Sequence, residues 1–191
     1  MARNDRGDIS TFPLVEMDFN PVVNLVEFLI SPSTLSFEIQ NAAEEIAKKI
    51  AADLQIVGLL AVEMFLTKDG QILVNELAPR PHNSGHQTIE GNMTSQFGQH
   101  LRAIFNLPLG STAARSNAVM INLLGEPKYE GLAKYEGVEE ILAIEGVFVH
   151  LYGKKYTKPF RKMGHVCIIN DNRELAISNA RKVQSILKVK A

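Results

Sequence analysis

Between Gly58 and His86 two apolar runs flank Lys68-Asp69-Gly70-Gln71, and a loop dense in Arg, His and Asn follows. Asp-Gly between apolar runs predicts a β-hairpin, because a tight turn needs backbone angles that Asp and Gly tolerate. With Asp69 and Gly70 as the two turn residues, Glu63 lies directly opposite Glu76. Facing side chains in an antiparallel pair have Cβ atoms roughly 4.5–5.5 Å apart, where like charges repel. The residues around them are mostly apolar: Ala61, Phe65, Val74 and Ala78, with Val62, Leu66, Leu73 and Leu77 behind. A partly buried carboxylate pair needs a proton, a basic partner or a metal. Two carboxylates plus phosphate oxygens are a usual Mg²⁺ ligand set. Lys68 or Arg80 supplies the competing ion-pair reading, and the hairpin alone leaves both open.

The loop from Pro79 to Ile89 carries two prolines and little apolar content, so it does not continue as a helix. It places Arg80, His82, Asn83, Ser84 and His86 just past the strand that bears Glu76. Arg offers a planar fork to carboxylate or phosphate, and His donates to an oxyanion or moves a proton near neutral pH. Such a density of donors beside two acids favours an anion site. The plainer reading is that Arg80 neutralises Glu76 and the histidines only hold the loop.

Upstream, Arg3 to Asp8 reads as a turn and Ile9 to Met17 as a strand. Ser31-Pro32 and Ser36 are helix-start signals. Ile39, Ala42, Ala43, Ile46, Ala47, Ile50 and Leu54 form one apolar stripe, and Glu38, Glu44, Glu45, Lys48 and Lys49 take the solvated face. Thr94 to Phe105 is expected to be a helix whose core stripe is Phe97, Leu101, Ile104 and Phe105, with His100 and Arg102 on the surface. Asn106 to Gly110 punctuates the chain and sets a domain boundary at 107/108. Beyond it, strands are expected at 118–124, 147–152 and 166–169, a short helix at 137–144 and a closing helix at 174–187.

Between the second and third of those strands, Lys154, Lys155, Lys158, Arg161 and Lys162 bring five cations into nine residues. A solvated hairpin tip, a nucleic-acid patch and a phosphate clamp all use such a run. A net charge of −1 and 7% aromatic residues give nucleic acid little support. The same net charge gives no pull toward an anionic membrane. The single Cys167 excludes an internal disulfide and fits a reducing cytoplasm. No stretch reaches the roughly 18 apolar residues of a membrane helix.

The run Asn75-Glu76-Leu-Ala-Pro-Arg80-Pro-His82-Asn83-Ser84-Gly85-His86 resembles the ATP-grasp enzymes, and more narrowly the 5-(carboxyamino)imidazole ribonucleotide synthases. Tyr152-Gly153-Lys154 and Arg161-Lys162-Met163-Gly164-His165 are similar to the same family, as is Pro13-x-x-Glu16. Met17-Asp18-Phe19-Asn20 departs from it, so nothing is carried over there. The resemblance implies an α+β chain: the second half of an ATP-grasp domain (1–107), an antiparallel sheet with packed helices, followed by a small β-rich C-terminal domain (108–191) that binds substrate phosphate. It implies ATP as co-substrate, held through Asn75 and Glu76, and Mg²⁺ on Glu63, Glu76 and Asn75. It places Arg80, His82 and Asn83 at the bicarbonate, carboxyphosphate and aminoimidazole ribonucleotide site, and Lys154 and Arg161 on the ribonucleotide phosphate. It implies that the ribonucleotide amine is carboxylated by bicarbonate through carboxyphosphate, in a cytoplasmic homodimer of purine biosynthesis. Family members are roughly twice this length and carry a Gly-rich, lysine-bearing phosphate loop that is not seen here. The expectation is therefore a C-terminal half that keeps anion and metal ligands without turning over ATP. Two rivals remain: another ATP-grasp ligase, such as the formate-using glycinamide ribonucleotide transformylase, and a non-catalytic binding module.

Overall fold

The computed structural model describes residues 1–19 and 26–191. Asn20, read above as part of a segment departing from the family, lies outside the described residues. In chain order the elements are β1 (Ala2–Arg3), β2 (Ile9–Ser10), β3 (Glu16–Phe19), β4 (Val26–Ser31), α1 (Phe37–Asp53), β5 (Gly58–Leu59), β6 (Ala61–Leu66) and β7 (Ile72–Ala78). A 3₁₀ turn (Asn83–Gly85), α2 (Thr88–Gly91), α3 (Gln96–Ile104) and β8 (Asn117–Leu124) follow. The chain closes with β9 (Gly131–Leu132), β10 (Lys134–Glu136), α4 (Val138–Leu142), β11 (Val147–Leu151), β12 (Tyr156–Thr157), β13 (Lys162–Asn170), α5 (Arg173–Ile186) and β14 (Lys188–Lys190). They form two compact units, one of Met1–Val15 with Pro32–Arg115 and the other of Glu16–Ser31 with Ser116–Ala191.

That division differs from the single boundary at 107/108. The expected strand from Ile9 to Met17 is broken into β2 and β3, with the irregular stretch around Pro13 between them. Proline lacks the N–H that a ladder needs. β3 and β4 then pair in the second unit, because β4 lies beside β8 there. A pairing between residues about ninety positions apart leaves no local trace in sequence.

In the first unit, β2, β1 and β5 make a small antiparallel sheet, and β6 pairs with β7. Ser36 caps α1, its hydroxyl accepting from the Ile39 amide. Lys48 and Lys49 pair with Glu44 and Asp53 on the solvated face. The ammonium of Lys48 holds the Glu44 carboxyl below the usual carboxylate range. Glu44 also accepts a hydrogen bond from Thr11, so it anchors the helix as well.

The expected core stripe of α3 is a correction. Phe97, Leu101, Ile104 and Phe105 are exposed, and the helix buries Gln96, Gln99 and Ala103 instead. Ala103 packs with Ala2 and Leu59. Gln99 accepts from the Gly110 amide and donates to the Gly110 carbonyl, both at 2.9 Å. His100, expected on the surface, accepts from the Leu59 amide at 3.0 Å. The buried face of α3 therefore supplies partners to backbone groups of irregular segments, which burial would otherwise leave unsatisfied.

In the second unit the strand order is β11-β13-β8-β4-β3, all antiparallel. Alternate residues Val119, Ile121 and Leu123 of β8 meet Val166 and Ile168 of β13 in one core. Ala176, Ala180 and Val183 of α5 at helical spacing cover it, with Leu187 just past the helix end. Leu175 is exposed, and Ala176 takes the core-facing position instead. Arg173 binds Glu16 at 3.1 Å and Gln184 binds Glu27 at 2.8 Å, tying α5 to β3 and β4. Among the described residues no helix is long and apolar enough to cross a membrane.

Because α3 is held by amides rather than by its apolar row, Gln99→Leu is expected to destabilise the protein by about 2 to 4 kcal/mol, since two backbone groups lose their partner. Leu101→Gln is expected to stay within about 0.5 kcal/mol. Urea denaturation of both variants checks the contrast, and the reverse order contradicts it.

Candidate functional site

The hairpin brings Glu63 and Glu76 face to face, but not by the expected turn. Thr67 and Gln71 close the loop, with the Thr67 amide donating to the Gln71 carbonyl, so Lys68, Asp69 and Gly70 form a three-residue loop. Gly70 takes a positive φ of 84°, which a side chain would resist. The longer loop pairs Leu66 with Ile72 and Met64 with Val74. Continued unbroken, that register would set Glu63 against Asn75. A β-bulge between the Met64–Val74 and Glu63–Glu76 pairs absorbs Asn75 and restores the facing acids. Bulges interrupt the strict alternation of faces and re-aim side chains.

His82 approaches both acids. Its Nδ1 is 3.7 Å from Glu63 Oε1 and its Nε2 is 3.9 Å from Glu76 Oε1. Neither distance is a hydrogen bond. The Glu63 side chain is 20% exposed, that of His82 14% and that of Glu76 55%. Among the described residues, Lys68 and Arg80 form no ion pair with either acid. The ion pairs with Lys68 or Arg80 that the competing reading required are absent, Arg80 does not neutralise Glu76, and among the described residues only His82 comes within ion-pair distance of the two acids. Its guanidinium is exposed and donates to the Pro81 carbonyl. The carboxylates keep their lone pairs for another ligand. Two facing carboxylates and an adjacent amide oxygen are hard donors of the kind Mg²⁺ takes together with phosphate oxygens. Among the described residues no group of three or more His, Cys, Asp or Glu forms a closed metal cage. A site completed by substrate oxygens needs no such cage.

The loop that carries His82 is organised by a residue the sequence did not single out. Gln96 is 2% exposed. It accepts from the His82 amide at 2.9 Å, donates to the His82 carbonyl at 2.8 Å, and meets His86 Nδ1 at 2.8 Å. Its own amide donates to Thr88 Oγ1. His82 Nδ1 lies 2.9 Å from Ser84 Oγ, and the ring of His86 stacks on Phe97. Asn83 opens the 3₁₀ turn, its carbonyl accepting from the His86 amide. The histidines do hold the loop, and they hold it with His82 turned toward the acids. The available signal was spacing: Gln96, Gln99 and Ala103 share one helix face, a small and polar stripe beside two irregular segments.

In the second unit, Lys154 and Arg161 lie on the segment between β11 and β13. Lys154 Nζ donates to the Lys162 carbonyl at 2.6 Å, and Arg161 Nη1 to the Tyr156 carbonyl at 3.0 Å. Gly125 docks the far end of this segment: its amide donates to the Arg161 carbonyl and its carbonyl accepts from the Phe160 amide. A Cβ at Gly125 would collide with the Lys158 carbonyl and the Thr157 hydroxyl.

An ATP-grasp domain family matches residues 1–97, about half of the chain. The chain belongs to the ATP-grasp family. The phosphoribosylaminoimidazole carboxylase C-terminal domain family matches residues 118–179 of this ATP-grasp chain. It is 45% identical over 166 residues to the N5-carboxyaminoimidazole ribonucleotide synthase of Bacillus subtilis, covering 87% of this chain and 42% of that one. The crystal structure of N5-carboxyaminoimidazole ribonucleotide synthetase from Thermotoga maritima superposes with a TM-score of 0.92 at 49% identity, over 100% of this chain and 51% of that one. The Aspergillus clavatus enzyme, in complex with ADP and 5-aminoimidazole ribonucleotide, gives 0.79 at 34% identity, over 91% and 46%. The ATP-grasp chain thus spans about half, or less, of the length of these relatives.

Gln96→Leu removes the acceptor of the His82 amide. Amide hydrogen exchange is expected to show that amide losing its protection while α5 amides keep theirs; unchanged protection at His82 contradicts the assignment.

Proposed function

We propose that the chain takes part in the ATP-dependent carboxylation of 5-aminoimidazole ribonucleotide by bicarbonate. The observation that carries the reading is the uncapped carboxylate pair Glu63–Glu76 beside a loop of fixed donors. Glu63, Glu76 and Asn75 would hold Mg²⁺, which would offset charge on the phosphate oxygens of bound ATP. Asn75 and Glu76 thereby contribute to ATP binding.

A bicarbonate oxygen attacks the γ-phosphorus of ATP, forming carboxyphosphate and releasing ADP. The exocyclic amine of the ribonucleotide then attacks the carboxyl carbon. The new N–C bond forms as the C–O bond to phosphate breaks, and the amine proton leaves with the departing phosphate. Arg80, His82 and Asn83 stabilise the anionic carboxyl donor by hydrogen bonds fixed before reaction. The Gln96 anchor keeps His82 in place, so less reorganisation is needed at that step. Lys154 and Arg161 bind the ribonucleotide phosphate, which positions the amine.

The match of residues 118–179, which include both clamp cations, to a phosphoribosylaminoimidazole carboxylase domain favours this substrate over glycinamide ribonucleotide. The ligands titrating the chain separate the readings. Lys154→Met and Arg161→Met are each expected to weaken 5-aminoimidazole ribonucleotide binding about tenfold, as loss of a charge-assisted contact predicts. Glu63→Gln with Glu76→Gln is expected to abolish selective Mn²⁺ broadening of hairpin resonances while sparing ribonucleotide affinity. Preference for glycinamide ribonucleotide, or ribonucleotide affinity indifferent to Lys154 and Arg161, overturns the proposal.

A further inference from the structure

Lys154 is a lysine on a surface segment, and such a side chain ordinarily samples many rotamers. Binding a phosphate through it then requires ordering, a loss of about 2 kcal/mol of rotamer freedom for a long cationic side chain. The second unit contains a device that removes much of that freedom in advance. β11 and β13 set His150 directly opposite His165. Their rings stack with centroids 4.4 Å apart and planes only 7° from parallel. His165 is 3% exposed and sits on a strand whose neighbours Met163, Val166 and Ile168 are core residues. An imidazole there is expensive unless it is hydrogen-bonded, and an apolar side chain would satisfy the packing alone.

The bond it makes leads outward. Tyr152, one residue past β11, presents its hydroxyl 3.1 Å from His165 Nδ1, with the two rings tilted at 51°. The Tyr152 amide donates to the Met163 carbonyl at 2.9 Å, which fixes the base of the side chain as well as its tip. The chain reverses at Gly153, and the Lys154 ammonium returns to a point 5.5 Å from the centre of the Tyr152 ring. There it also donates to the Lys162 carbonyl. The ammonium is thus held between an aromatic face and a backbone oxygen, and the aromatic face is itself braced against the buried imidazole of His165, on which His150 stacks.

We propose that Tyr152, His165 and His150 are positioning residues for Lys154: a strut from the core of the second unit that pre-orders this cation for the phosphate of the ribonucleotide. The inference rests on the reading of Lys154 as a phosphate ligand. Affinity here comes from ordering done before the ligand arrives, so the strut acts through Lys154 and touches no reacting atom.

A double-mutant cycle on ribonucleotide affinity tests it, read by calorimetry with 5-aminoimidazole ribonucleotide as probe. Lys154→Met must first weaken binding; if it does not, the phosphate reading itself fails and the strut with it. Given that loss, Tyr152→Phe, which keeps the ring and removes only the hydroxyl, is expected to weaken binding about threefold with Lys154 present, the scale of one neutral hydrogen bond. In the Lys154→Met background Tyr152→Phe is expected to have no effect. His165→Phe, which preserves stacking volume, is expected to reproduce Tyr152→Phe, and the two together to be no worse than either. A Tyr152→Phe penalty that persists without Lys154, or no penalty at all with it, overturns the strut and leaves the phosphate reading standing. Should His165→Phe fail to fold, the Tyr152→Phe cycle decides alone, since Tyr152 lies at the surface.

Discussion

Two carboxylates held side by side on paired strands repel, and among the described residues no lysine or arginine pairs with either of them. Glu63 and Glu76 face each other because a bulge at Asn75 compensates a turn one residue longer than the minimum. The nearest cationic candidate, His82, stops at 3.7 and 3.9 Å, outside hydrogen-bonding range. That spacing is what the proposed metal reading of the pair rests on. That constraint gives the neighbouring loop its purpose: Gln96 fixes His82 from behind through both backbone groups, so the donors stay near the acids without neutralising them.

The hairpin and its facing acids were legible because apolar runs about Asp-Gly carry their own register. They were legible partly by compensation. The two-residue turn expected from Asp69-Gly70 and the observed three-residue turn plus bulge give the same Glu63–Glu76 pair and different partners for every residue between them. The helix α1 was legible from Ser36 and its spacing, and β8 and α5 from an apolar run and a helical stripe. What escaped was of two kinds. Pairings distant in sequence, such as β4 on β8, have no local signature. The face of α3 was misread because periodicity finds apolar stripes, whereas this helix buries Gln96 and Gln99 to satisfy irregular backbone at Gly110 and His82.

Both units solve one physical problem in similar ways. A charged or polar group proposed to meet a ligand is held by groups behind it. Gln96 does this for His82, and the His165–Tyr152 bond does it for Lys154. At Arg161 the support is backbone alone: Gly125 leaves room for the segment and hydrogen-bonds its main chain. Sequence motifs mark the proposed ligand-binding members, Arg80, His82, Lys154 and Arg161. The supports are recognisable only once the fold brings them into contact.

The register of β6 on β7 carries the account of the carboxylate pair, and cross-strand nuclear Overhauser effects measure it directly. The structure predicts backbone contacts pairing residue 63 with 76 and residue 64 with 74, and none pairing 64 with 75. Contacts between 64 and 75, or between 63 and 75 with 76 turned to the opposite face, would contradict it.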